Sequence, residues 1–289
     1  MPKLTARAPA KINLSLHVLA RRDDGLHALE SLVAFAGHGD VLTLEPGPVL
    51  SLHADGPGAA TLGDDENLVL RAARHLAERV EGLVTGAFVL TKRLPIAAGL
   101  GGGSADAAAA LRLLAQANAL ALDDMRIAEA ARATGADVPV CLVPRARMMS
   151  GAGEVLGLPL GLPPLFAVLV NPGVALPTRD VFARMGLAPG SATGFGAHLA
   201  LKPGMGADAL LRLLGKARND MEDAAIMLAP RISDVLSVIS VARGCRLARM
   251  SGSGATCFGL FDDCRAAARA AKVIRRDHAD WWVKATALR

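Results

Sequence analysis

The residues best suited to chemistry are one glycine run and a few isolated charged side chains. Gly99-Leu100-Gly101-Gly102-Gly103-Ser104 precedes a long stretch rich in alanine and leucine. Glycines let backbone N–H groups wrap an anion, and a helix that starts there turns its positive end toward it. No Lys-Ser/Thr pair follows the last glycine, so this is not a Walker loop, and Ser104 stands where a dinucleotide fingerprint needs its third glycine. The run reads as a phosphate loop, with a packed turn as the alternative. Gly102 is expected where backbone approaches phosphate and where φ can be positive. Asp106, in the first helical turn, suits the helix dipole but repels phosphate, a conflict that Mg²⁺ between them would resolve.

Lys11 sits inside an apolar strand pattern, and Asp137 lies in the tight turn Gly135-Ala136-Asp137-Val138-Pro139. Taken singly, the lysine reads as solvent-exposed and the aspartate as stabilising its own turn. Together they would form a usable pair: a carboxylate to take a hydroxyl proton and a cation to offset charge on a transferring phosphoryl group. Spacing alone cannot bring them together. Ser251-Gly252-Ser253-Gly254-Ala255 follows an apolar strand and reads either as a hairpin turn or as a second place where backbone meets ligand. Asn13 and His27 are ambiguous by themselves. Arg265, Arg269, Lys272 and Arg276 recur at helical spacing and read as a solvated helix face.

The elements that must position these residues follow from periodicity. Lys11–Val18 alternates as a half-buried strand, and Val41–Leu44, Val49–Leu52 and Ala87–Thr91 read as further strands. Glu66–Val80 has helical spacing. The glycine loop feeds a long helix with Ser104 as its expected N-cap, and Asp124–Thr134 is a shorter helix ending at Gly135. In the second half, Leu165–Val170 reads as a buried strand, Asp208–Leu214 and Ile232–Val241 as helices, and MSGSGATCFGLF as a strand and turn before a final helix over Arg265–Asp277. Strands and helices mix without strict alternation, so the class is α+β in two lobes, dividing between Gly151 and Pro164.

Composition removes several classes of function. The chain has 289 residues, 52% hydrophobic and 20% charged, with a net charge of +5, so it has material for a sizeable core and does not read as disordered. Aromatics are 3% and tyrosine is absent, which argues against a nucleic-acid groove built on stacked rings. A small anionic substrate suits the modest positive excess. Cys141, Cys245, Cys257 and Cys264 show no metal-ligand spacing and read as reduced, buried thiols of a cytoplasmic protein. Val155–Leu176 carries no charge, but four prolines interrupt it, so it reads as a proline-rich connection and a strand. No membrane segment is expected.

Read in order, these clusters resemble the GHMP kinase superfamily. The resemblance spans nearly the whole chain and rests on Pro9-Ala10-Lys11-Ile12-Asn13-Leu14, Asp24-Gly25-Leu26-His27, Glu66-Asn67-Leu68, and Lys92-Arg93-Leu94-Pro95 leading into the glycine loop. Gly135-Ala136-Asp137-Val138-Pro139, Pro172-Gly173-Val174 with Pro177-Thr178, Asn219-Asp220 and the Ser-Gly-Ser-Gly-Ala turn complete it. The motifs match most closely the branch of the superfamily that uses ATP to phosphorylate the 2-hydroxyl of a cytidyl-linked methylerythritol in non-mevalonate isoprenoid synthesis. Another alcohol substrate, or a catalytically silent nucleotide-binding regulator, are the alternatives.

The resemblance implies a two-lobed GHMP kinase fold. Residues 1–155 would form an ATP-binding lobe like the second domain of ribosomal protein S5, and residues 156–289 a ferredoxin-like lobe. Asp137 would be the base and Lys11 its electrostatic partner. Pro95, Ile96, Ala97, Ala98, Gly99, Leu100, Gly101, Gly102, Gly103, Ser104 and Ala105 would hold the ATP phosphates, with Asn67 and Lys92 near the adenosine. Asn13, His27 and Thr178 would serve the cytidyl substrate, with Phe182 on one face of the base and Leu26 where the branch has a tyrosine. Mg²⁺ is implied without assigned ligands, and the protein would be a monomer or homodimer. The sequence departs from the branch at Leu26, at Ile96-Ala97-Ala98 where a further glycine is common, and at Ala105-Asp106 where Ser-Asn is frequent.

Overall fold

The computed structural model describes residues 2–59, 67–194, 196–198, 200–202 and 204–289. In chain order the elements are β1 (Leu4–Asn13), β2 (His17–Arg21), β3 (His27–Gly47), β4 (Ser51–Asp55), α1 (Leu68–Ala77), β5 (Thr85–Thr91), α2 (Gly102–Ala117), α3 (Met125–Thr134) and α4 (Val138–Leu142). There follow β6 (Arg147–Gly151), β7 (Val155–Leu156), β8 (Leu165–Asn171), α5 (Thr178–Met185), α6 (Ala207–Lys216), α7 (Glu222–Leu228), α8 (Arg231–Ser240), β9 (Cys245–Met250), β10 (Cys257–Phe261), α9 (Cys264–Asp277) and β11 (Trp282–Leu288). The mixture is α+β, as expected. The chain falls into two compact units, one of residues 1–11, 39–96 and 101–144, the other of 12–38, 97–100 and 145–289.

In the first unit, β5 pairs antiparallel with the C-terminal half of β3, from Val41 opposite Thr91 to Gly47 opposite Thr85, and parallel with β4. Phe88 and Leu90 of β5 and Leu42 and Leu44 of β3 supply the buried face. Helix α2 is buried on most sides, from Ala105 through Leu111 and at Leu113, Leu114 and Ala115. Small alanines let neighbouring helices approach closely without voids, which is why this helix reads as apolar all round. Helix α1 is capped by Asn67, whose side chain accepts from Val69 N, and α3 by Asp124, which accepts from Arg126 N. Glu66, the expected first residue of the first helix, lies outside the described residues.

In the second unit, β11, β8, β10 and β9 lie side by side in that order, all antiparallel. Numbered among these four strands, this is the 4-1-3-2 order of a ferredoxin-like sheet. The central strand β8 is buried almost throughout, so it reads as an unbroken apolar run, LFAVLVN. Ile232, Val235 and Ile239 of α8 and Ala266, Ala267, Ala270, Ala271 and Ile274 of α9 bury one stripe each into the same core. Arg265, Arg269, Lys272 and Arg276 stand exposed on the opposite face of α9, as expected. Strands β2 and β6 flank the N-terminal half of β3.

Four expectations are corrected. The predicted strand Lys11–Val18 is two strands, broken at Leu14–Leu16 where Leu14 N turns to Leu32 O and Leu16 N to Arg218 O. It is not half-buried: Lys11, Asn13, Ser15 and His17 are as buried as the apolar residues between them, because each polar side chain has an internal partner. The strand expected at Val49–Leu52 is Ser51–Asp55, displaced by the Gly47-Pro48 turn. Ser104 is not the N-cap of α2. That position is Gly101, in the left-handed conformation, and Ser104 falls in the first turn. The four cysteines are free, but Cys264 is exposed and Cys245 half-buried. Among the described residues no helix is long and apolar enough to cross a membrane.

Candidate active site

The loop from Pro95 to Leu100 crosses from one unit to the other before α2 begins at Gly102. Its carbonyls at Ala98 and Gly99 are committed. Ala98 O accepts from Thr256 N at 3.1 Å and Gly99 O from Ser251 Oγ at 3.0 Å, so the hairpin turn between β9 and β10 is the support of the glycine loop. Ala97, in the Ile96-Ala97-Ala98 stretch where the resemblance implies a further glycine, adopts φ +49. The first intrahelical acceptor bond of α2 runs from Ala105 N to Gly101 O, which leaves the amides of Gly102, Gly103 and Ser104 without intrahelical acceptors. That is a standard anion site by geometry and dipole.

Positive φ falls at Gly99 (+72) and Gly101 (+59), not at Gly102, which is already helical. A Cβ at Gly99 would overlap Ser251 O and lie 2.8 Å from Gly254 O, both backbone atoms that cannot step aside cheaply. Gly99→Ala is therefore expected to displace the loop and weaken ATP binding by about tenfold or more, since left-handed strain alone is on the order of 1–3 kcal/mol. Gly102→Ala, whose Cβ meets only the tip of Lys92 and Leu94, should change the affinity by less than about threefold. Titration calorimetry with a non-hydrolysable ATP analogue separates the two variants; equal affinities would contradict the loop geometry.

Lys11 and Asp137 are brought together. Lys11 Nζ lies 2.7 Å from Asp137 Oδ2, with the lysine side chain 5% and the carboxylate 36% exposed. Asp137 takes the N-cap position of α4 yet makes no capping hydrogen bond, so its carboxylate is not spent on its own turn. The Lys11 stem runs beside the glycine loop, and a Cβ at Gly101 would be 3.3 Å from Lys11 Cβ and Cε. A buried cation, a reachable carboxylate and the open amides of α2 thus stand together within one unit.

Lys92 lies elsewhere than at a surface. Its Nζ is 2.5 Å from Asp40 Oδ2 and 2.7 Å from Asp106 Oδ2, all three side chains being almost wholly buried. Asp40 Oδ1 also accepts from Arg93 N and Leu94 N. Burial lowers the Lys92 affinity for its proton, but the two carboxylates outweigh it and the net direction is up. Burial raises the Asp106 carboxyl to about 7, with Lys92 opposing and Asp40 adding. Asp106 therefore turns inward, away from the anion site whose charge it was expected to oppose. Asp40 had no motif around it; its only signal was one carboxylate inside the apolar run VAFAGHGDVLTL.

At the substrate-side residues, the Asn13 amide donates to Ser31 Oγ at 2.7 Å, and Asn13 N donates to Ser251 Oγ at 3.1 Å. His27 stacks on Phe182, ring centroids 4.1 Å apart and planes within 13°. Burial, then the Arg21 charge, lowers the His27 pKa and keeps the ring neutral. Its Nε2 is buried with no hydrogen-bond partner among the described residues. Thr178 begins α5 and shares a 2.8 Å hydrogen bond with Ser253. Leu26 is 52% exposed.

The N-terminal domain of GHMP kinases matches residues 67–145 and the C-terminal domain residues 206–280. The chain is 59% identical to the 4-diphosphocytidyl-2-C-methyl-D-erythritol kinase of Methylobacterium radiotolerans and 58% identical to that of Xanthobacter autotrophicus, covering 100% of both chains in each case. A crystal structure of 4-(cytidine 5'-diphospho)-2C-methyl-D-erythritol kinase superposes with a TM-score of 0.77 at 36% identity, covering 99% of each chain. A homoserine kinase from Cytophaga hutchinsonii, 20% identical with a TM-score of 0.70, shares the fold. The chain belongs to the GHMP kinase family and, within it, to the 4-diphosphocytidyl-2-C-methyl-D-erythritol kinases.

Proposed function

We propose that the protein transfers the γ-phosphoryl group of ATP to the 2-hydroxyl of 4-diphosphocytidyl-2-C-methyl-D-erythritol, with Asp137 and Lys11 as the reacting pair. The observation that carries the reading is the 2.7 Å contact between a buried lysine and a carboxylate left free of capping duty. Asp137 accepts the hydroxyl proton as the substrate oxygen bonds to the γ-phosphorus and the bond to the β–γ bridging oxygen breaks, releasing ADP. Lys11 offsets charge on the transferring group. Such a transfer needs positioning and charge stabilisation more than covalent help.

The amides opening α2 receive the phosphates, within a loop running from Pro95 through Ile96, Ala97, Ala98, Gly99, Leu100, Gly101, Gly102, Gly103 and Ser104 to Ala105. Asn67 serves the adenosine end through Nδ2, since its oxygen caps α1, whereas Lys92, expected beside it, is engaged by Asp40 and Asp106 and supports the site from beneath. Among the described residues no three His, Cys, Asp or Glu side chains converge on a metal. With Asp106 drawn into its pair with Lys92, Ser104 in the first turn of α2 would be the protein oxygen offered to Mg²⁺. Bound there, the ion would neutralise charge on the β- and γ-phosphates.

Asn13, Leu26, His27, Thr178 and Phe182 form the cytidyl end. His27 already covers one face of the Phe182 ring, so the base stacks on the other face. Phe182→Ala should raise the KM for the cytidyl substrate by about tenfold, the scale of 1–3 kcal/mol for one base–aromatic stack, and leave the KM for ATP nearly constant. An unchanged substrate KM would put the base elsewhere. We read residues 1–155 as the ATP-binding lobe and 156–289 as the C-terminal lobe of a cytoplasmic enzyme, monomeric or homodimeric, with no nucleic-acid partner. A coupled ADP-release assay tests the whole reading: release that depends on the cytidyl substrate supports it, and release driven equally by homoserine or mevalonate overturns it.

A further inference from the structure

Helix α2 reaches both elements that carry the reacting pair, through one side chain that belongs to none of the sequence motifs. Arg112 Nη1 donates to Cys141 O at 2.8 Å and to Leu142 O at 3.3 Å, and its Nη2 donates to Arg7 O at 2.6 Å. Cys141 and Leu142 are the last two residues of α4, the helix whose N-cap is Asp137. Arg7 lies on β1, the strand that carries Lys11.

Helix α4 has only five residues. A single turn has no intrinsic stability in water, and its terminal carbonyls have no partners within the helix. Something outside must hold it, and a guanidinium does so well: it is planar, permanently charged, and fixes its donors in one fork. The same fork is anchored to β1, so the distance between the two elements is set at the end of α4 away from Asp137. Helix α2 supplies the base, being packed on nearly all sides.

We propose that Arg112 is a positioning residue for phosphoryl transfer, holding α4 in register with β1 so that Asp137 Oδ2 stays within hydrogen-bond reach of Lys11 Nζ. The proposal rests on the reading of Lys11 and Asp137 as the reacting pair. It goes beyond it by assigning the geometry of that pair to a third side chain that touches neither nucleotide nor substrate. Misplacement of a catalytic group by about 1 Å can cost on the order of 100-fold in rate, so a modest drift of α4 is enough to be seen.

Three variants test it by steady-state kinetics. Arg112→Met removes the fork while keeping an unbranched stem, and should lower kcat by about 10- to 100-fold with both KM values within about threefold. Arg112→Lys keeps the charge and can reach one carbonyl at a time, and should recover kcat to about 3- to 10-fold below the parent. In an Asp137→Asn background, adding Arg112→Met should cost less than about twofold more, because residues acting through one pair are not additive. An unchanged kcat in Arg112→Met, a loss shared equally by kcat and KM, or full additivity with Asp137→Asn would overturn the proposal. If Arg112→Met does not fold, Arg112→Lys decides it: parent-level kcat would overturn the proposal. Near-parent turnover in Asp137→Asn alone would instead reject the reacting pair itself, and the proposal with it. A silent Arg112→Met beside an inactive Asp137→Asn rejects only the role of Arg112.

Discussion

Asp137→Asn is expected to lower kcat by roughly 10²–10⁴, the scale of losing a general base. Asparagine matches aspartate in shape and can still accept a hydrogen bond from Lys11 Nζ, now 2.7 Å from the carboxylate, so the site keeps its geometry and loses only its proton acceptor. The side chain is 36% exposed and makes no capping bond, so stability should change little. ATP affinity should stay within about twofold, because in the proposed reading the phosphates meet the amides at the start of α2 and not this carboxylate. Single-turnover transfer from labelled ATP, with nucleotide affinity measured separately, checks both halves. Near-normal transfer would remove Asp137 from the chemistry.

Lys92→Met is expected to act on the fold. It removes the one cation shared by Asp40 and Asp106, which are 0% and 3% exposed. Breaking a buried ion pair by deleting one partner costs about 3–5 kcal/mol, because the charge left behind has neither water nor counter-ion. For a chain of this size that is a fall in Tm on the order of 10 °C. The pH dependence has a definite sign. Burial already holds the Asp106 carboxyl at about 7 with Lys92 beside it, and without the lysine it must go higher. The folded variant then binds more protons than the unfolded chain from about pH 4 upward to that raised value, so its stability increases as pH falls through that window. Thermal melts at pH 7.5 and 5.5 should show the gap to the parent narrowing at the lower pH. Adding Asp106→Asn, which places there the residue frequent in the resembling branch, should restore part of the lost stability. A variant as stable as the parent at pH 7.5 would mean that the three charges are solvated in solution.

How much of this was legible in the residues depends on the range of the forces involved. Local rules located α3 to within a residue, because Asp124 and Gly135 cap it at either end. They placed β8, α8 and α9 nearly as well, because burial on two faces or on one stripe leaves a periodic trace. They missed most of β3. Gly37 and Gly39 interrupt its alternation, and Gly39 is needed where β1 crosses so closely that a Cβ would overlap Ala8 O. They also missed β11, whose alternating WVKATAL follows directly on a helix and gains its partners, β8 and Ala36, from distant parts of the chain.

By itself the sequence determined the chemistry available: a glycine loop ahead of a helix, one lysine in an apolar strand, one aspartate in a tight turn, and enough ordered motifs to mark the family. Periodicity and capping are local, and a motif travels with its own residues. The tertiary structure decided everything that needs two distant residues at hydrogen-bond distance. It turned Lys11 inward onto Asp137, moved positive φ from Gly102 to Gly99 and Gly101, and withdrew Asp106 from the phosphate site into a buried pair with Lys92. Each outcome is set by which carbonyl, carboxylate or ammonium lies opposite once the core has closed. A buried charge must then find a partner or lose its proton, and no spacing along the chain says which partner that will be.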